Sequence, residues 1–76
     1  MNLWKRYKTY IPSSNVWVCT AKFPEPIHGI FGITDIFNGK PNGEIIDGLP
    51  IETKEMLTNE DALKFHHNVI NEVIHD

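Results

Sequence analysis

"VWVCTAKF", Val16 to Phe23, is the stretch whose reading decides the fold. Its side chains alternate with a period of two, the signature of an extended strand. Trp17, Cys19, Ala21 and Phe23 fall on one face, and Val16, Val18, Thr20 and Lys22 on the other. The first set is the expected core face. Upstream, "PSSN" at 12–15 is turn chemistry, because proline stops a ladder and Ser and Asn bond back to nearby backbone. Before it, "LWKRYKTYI" from Leu3 to Ile11 is rich in strand-forming aromatics and predicts a first strand.

Downstream, Pro24 and Pro26 predict a break, since two close prolines do not suit a central strand. "IHGIFGITDIF", Ile27 to Phe37, is a third strand with Gly29 and Gly32 as bulge or close-approach points. "NGKPNG" at 38–43 is a hairpin tip, and "EIID" at 44–47 a short return strand. Residues 51–57 suit either an edge strand or a helical lead-in. Thr58 has the position of an N-cap, with Asp61 at capping-box spacing, so a helix is expected from about 59 to 74. The predicted strands therefore cover 3–11, 16–23, 27–37 and 44–47. The fold class is α+β: an antiparallel sheet of four to five strands with one C-terminal helix on one face, in a single domain over 1–76.

"FHHNVINEVIHD" closes the chain with His66, His67 and His75. At about 100° per residue, Phe65, Val69, Ala62, Val73, Ile70, Leu63 and Ile74 form the apolar arc, with His66 near its middle. His66 and His67 diverge by about 100° and do not chelate one metal. Two histidines four apart with a glutamate after the first, the zincin pattern, are absent. No metal site or cofactor is expected. His66 reads as a buried, neutral histidine bonded to a strand carbonyl or a tyrosine hydroxyl. His28, near Glu25, reads as an edge-strand polar residue. Cys19 reads as a small buried hydrophobe, with no nucleophile context around it.

Length and composition narrow the function. At 76 residues the chain has room for one small core, and an enclosed active site would call for a second subunit. Catalysis is not expected. A composition of 41% hydrophobic and 22% charged residues is too apolar for a disordered chain. The net charge of −3 is too mild to argue alone for a DNA mimic or a polyanion binder. Charge is unevenly placed: residues 1–22 hold Lys5, Arg6, Lys8 and Lys22 without an acid, and the remainder holds three lysines against ten acids. One cysteine suits a reducing cytoplasm. The first residues lack the apolar core of a signal peptide, and no apolar run reaches membrane-spanning length. The abundance of Ile and Asn points to a low-GC bacterium or its phage.

The resulting expectation is a small cytoplasmic protein-binding or regulatory module, an inhibitor or adaptor, bacterial or phage-encoded, with a homodimer in view. Its expected partner face is Val16, Val18, Ile30 and Ile36, with Lys40 at the hairpin tip. The alternative is a nucleic-acid binder that uses Trp4, Lys5, Arg6, Tyr7 and Lys8, cations interleaved with aromatics on one strand. A small-molecule or nucleotide binder at a dimer interface is the third option. No membrane partner is expected.

Overall fold

The alternating and β-branched stretches of the first half form strands because each finds a neighbour one tight turn away. The computed structural model describes residues 4–75; Leu3, the expected start of the first strand, lies outside them. Four strands, β1 (Lys5–Ile11), β2 (Val16–Ile27), β3 (Ile30–Asn38) and β4 (Glu52–Met56), precede one helix, α1 (Ala62–His75). The strands form one antiparallel sheet in the order β1-β2-β3-β4. The helix packs across β1, β2 and β3 on one face.

The first turn places Asn15 at φ 53°, a left-handed conformation that asparagine tolerates well. The second differs from expectation. Pro24 and Pro26 do not end β2, which runs on to Ile27. Pairing with β1 stops at Lys5↔Lys22, and the pairing with β3 is interrupted between Lys22 and Ile27. The prolines therefore sit where no ladder needs their missing N–H. His28 and Gly29 form the two-residue connection between the paired Ile27 and Ile30, with φ of 51° and 78°. Positive φ at both positions is the requirement of a type I′ hairpin. His28 is thus a turn residue and not part of an edge strand.

The third connection also departs from the reading. Residues 44–47 form no strand; the single pairing there is the bridge Gly39↔Ile45. The edge strand is the later "ETKEM", which pairs with β3 from Gly32↔Met56 to Ile36↔Glu52. The helix begins at Ala62, and its cap is Asp61. The Asp61 carboxylate accepts from the backbone N–H of Leu63 at 2.8 Å, which satisfies a helix-end donor. Thr58 instead donates to the Glu60 carboxylate at 3.0 Å.

The core inverts the expected faces of β2. Val16, Val18 and Thr20 are buried, together with Ile11, Ile36, Ala62 and Val69. Phe65, Ile70 and Val73 pack against this cluster. Each fully buried valine or isoleucine of the cluster contributes about 1.5–3 kcal/mol when taken out of water. Leu63 and Ile74, expected in the apolar arc, are 41% and 50% exposed, so the seam is narrower than the pattern suggested. Lys54 links β4 to the helix through Glu72 at 3.2 Å, and also meets Glu52 at 3.0 Å.

His66 lies inside this seam, 1% exposed. Its partners are threonine hydroxyls, not a carbonyl or a tyrosine. Its Nδ1 lies 2.6 Å from Thr20 Oγ1, and its Nε2 lies 2.8 Å from Thr9 Oγ1. Thr20 Oγ1 is also 2.6 Å from Thr34 Oγ1. Tyr7 stacks obliquely on the imidazole at 5.8 Å. Hydroxyls donate or accept, so this chain satisfies either neutral tautomer. Burial, with the neighbouring His67 second, holds the His66 pKa below the ordinary 6.5.

A lowered folded-state pKa means that the unfolded chain binds the extra proton more readily. Stability from this group is therefore complete above about pH 6.5 and declines as pH falls through the folded-state value. Urea unfolding followed from neutral pH down to about pH 4 is expected to show this acid decline. His66→Leu is expected to flatten it. An equally steep decline in the variant would place the proton-sensitive group elsewhere.

Candidate functional site: the uncovered face of the sheet

One face of the sheet has no element packed on it among the described residues. The strand register fixes its composition. Arg6 stands opposite Ala21, Lys8 opposite Cys19, and Tyr10 opposite Trp17. Across the next pair, Ala21 faces Ile33, Cys19 faces Asp35, and Trp17 faces Phe37. Asp35 then pairs with Thr53, and Ile33 with Glu55. Two rows therefore cross the sheet: Lys8–Cys19–Asp35–Thr53 and Arg6–Ala21–Ile33–Glu55.

Aromatic rings bound these rows at both ends. Tyr10 and Trp17 lie 5.2 Å apart at one end. Trp17 Nε1 donates to the Lys40 carbonyl at 2.8 Å, and the Tyr10 hydroxyl donates to Asn15 Oδ1 at 2.8 Å. At the other end Trp4 meets Phe23 edge-on at 5.0 Å. The cations are held by the same rings: Arg6 lies 5.3 Å from the Trp4 ring centre, and Lys8 lies 4.7 Å from that of Trp17. Such contacts contribute about 0.5–1 kcal/mol at exposed sites and fix long side chains that would otherwise wander.

Between the cations and Asp35 the small residues Cys19 and Ala21 leave a shallow open trough of about 340 Å³, with Ile33 on its floor. Thr53 donates to the Asp35 carboxylate at 2.6 Å. The face thus runs from positive at β1, through an apolar centre, to negative at β3 and β4. Cys19 lies within the trough. Burial pushes its thiol pKa up, Lys8 opposes that shift and Asp35 adds to it. Cys19, expected to be buried, is thus half-buried on the uncovered face, with its thiol held in the neutral form. Among the described residues, no three of His, Cys, Asp and Glu are grouped to hold a metal ion.

The expected site residues are divided by this geometry. Val16, Val18 and Ile36 cannot form a partner face, because α1 covers them: they are 4%, 0% and 2% exposed. Ile30 is half-buried. Lys40 is exposed at the loop and pairs loosely with Glu44 at 3.6 Å. Of the basic aromatic set, Trp4, Arg6 and Lys8 reach the uncovered face. Tyr7 turns to the helix side, against His66, and Lys5 shares its side of the strand.

Sequence reasoning missed Trp17, Cys19, Ala21 and Ile33 as surface residues. The available signal was Thr20: a face carrying hydroxyls matches a helix that presents a histidine. It also missed the apolar loop after β3, where Ile46, Leu49 and Ile51 are 56%, 73% and 57% exposed. No helix is long and apolar enough to cross a membrane among the described residues. Comparison of the chain with protein-family models, curated proteins and solved structures gives no match.

Proposed function

We propose that this domain is a non-catalytic protein-binding module whose recognition surface is the uncovered sheet face. The observation that carries this reading is the two-sidedness of the sheet. One face is closed by α1, while the other presents Trp17, Ala21 and Ile33 between opposite charges. An apolar centre with a charged and aromatic rim is the anatomy of a protein interface. Leu49 and Ile51, exposed in the loop after β3, add apolar surface outside the sheet. The wider setting is an adaptor or inhibitor in a bacterial cytoplasm, of bacterial or phage origin, as the lone cysteine and the Ile- and Asn-rich composition suggest.

Ile33→Arg tests the reading, because it places a charge at the centre of the face without touching the core. The variant is expected to melt close to the wild type and to lose its protein partner in affinity capture followed by mass spectrometry. Retention of the same partner by a folded Ile33→Arg protein would sink the proposal. The second reading, single-stranded nucleic-acid binding, is favoured by the Arg6–Trp4 and Lys8–Trp17 pairs, which offer cations beside stacking rings. Asp35 and Glu55 on the same face oppose it, since a polyanion crossing the sheet would meet them. Fluorescence anisotropy with an oligonucleotide at low salt separates the two.

A further inference from the structure

The uncovered face has a property that neither reading requires: its charge pattern is complementary to itself. We infer that the partner of this face is a second copy of the chain, related by a two-fold axis that lies along the strands between β2 and β3. This inference rests on the protein-binding reading and names its partner.

A two-fold axis in the plane between two facing sheets, parallel to the strands, places β1 of one copy over β4 of the other and β2 over β3. The rows keep their height. Arg6 then lies over Glu55, Lys8 over Thr53, and Asp35 over Cys19, one strand from the opposing Lys8. In the centre, Ala21 meets Ile33, a small residue against a larger one, and Trp17 meets Phe37. An axis across the strands would instead stack β1 on β1 and place cation on cation. The charges thus select one of the two face-to-face arrangements. Isologous two-fold pairing of this kind is the commonest closed assembly of soluble chains.

Size sets the strength. Strands about 4.8 Å apart and seven residues long at about 3.3 Å each give a plane of roughly 450 Å² per copy. A standard stable interface buries about 800 Å² per partner, so the pair is expected to be reversible at micromolar concentration. The trough beside Cys19 leaves room for the longer side chains of the opposing copy.

The test uses paired charge reversals in sedimentation velocity and light scattering. The wild type is expected to pass from monomer to dimer in the micromolar range, and the dimer to weaken several-fold as salt rises from about 50 mM to about 500 mM. Arg6→Glu with Lys8→Glu, and Asp35→Lys with Glu55→Lys, should each be monomeric, because each makes the face uniformly charged. An equimolar mixture of the two should restore a dimer, since each positive edge again meets a negative one. Should either reversal fail to fold, the salt dependence, together with amide chemical-shift changes on dilution confined to the uncovered face, carries the test. Homodimers formed by both reversed variants would overturn the inference, as would shift changes on the helix side. A wild type that stays monomeric overturns it too. If that monomer still loses a heterologous protein on Ile33→Arg, the binding-face reading stands. If it is indifferent to Ile33→Arg, both fall. A monomer that instead binds single-stranded DNA, with binding abolished by the Arg6 and Lys8 reversal, replaces both with the nucleic-acid reading.

Discussion

Thr20→Val is expected to cost the domain about 2–4 kcal/mol of unfolding free energy, although the two side chains are nearly the same shape. The Thr20 hydroxyl lies between His66 Nδ1 and Thr34 Oγ1, at 2.6 Å from each, in a place closed to water. Valine removes the middle of that chain and leaves two buried polar groups facing a methyl. Each unsatisfied group costs about 1–3 kcal/mol. A domain of 76 residues holds only about 4–11 kcal/mol in total, so the variant approaches the margin of folding. The matching triple variant, Thr20→Val, Thr34→Val and His66→Leu, removes the buried polar groups together. It is expected to be more stable than Thr20→Val alone, a non-additivity that marks a connected network. Urea unfolding of the single and triple variants measures both quantities. A single variant within about 0.5 kcal/mol of wild type would show that the hydroxyl is dispensable.

Met56→Ala is expected to cost about 2–5 kcal/mol, the range for deleting a long buried side chain. Met56 is 0% exposed at the end of the edge strand β4. The register sets it opposite Gly32, which has no side chain to occupy the space, on the face that α1 covers. Met56→Leu keeps most of the volume and is expected to cost less than about 1.5 kcal/mol. Guanidinium titrations distinguish the two, and equal losses would mean that shape rather than volume holds the strand. The effect is large for so short a strand because "ETKEM" has little strand preference of its own. Tertiary burial of Met56, with the Lys54–Glu72 pair, holds it in place.

That strand also shows where the sequence was hard to read. Period and turn chemistry made the α+β class, the first three strands and the helix legible. "EIID" looked more strand-like than "ETKEM" by propensity, yet burial of one methionine outweighs two isoleucines left near solvent. The prolines of β2 were misread because a ladder's end cannot be seen without its partner. The facing of "VWVCTAKF" was the costliest ambiguity. Trp17 and Phe23 outweigh Val16 and Val18 in bulk, so the aromatic face looked like the core. What decides it is the helix, whose His66 demands hydroxyls, and Thr9, Thr20 and Thr34 all lie on the other side. The candidate site inherited that inversion. Its charges on Arg6, Lys8, Asp35 and Glu55 were visible in the sequence, but their alignment in two rows was not, because rows exist only once the register is known.

The order of strands in the sheet repeats their order in the chain, which bears on how the domain is made. The β1–β2 and β2–β3 hairpins close over short turns, and β3–β4 closes over the longer loop of residues 39–51, so every pairing is between neighbours in sequence and requires modest loop-closure entropy. Only the docking of α1 joins distant positions, with 57 residues separating Thr9 from His66. In folding, the sheet can therefore zip before the helix docks. Throughout that interval Val16, Val18 and Ile36 are as bare as Trp17 and Ile33. The folding chain is then a sheet with two sticky sides, and docking of the helix is the event that leaves it with one.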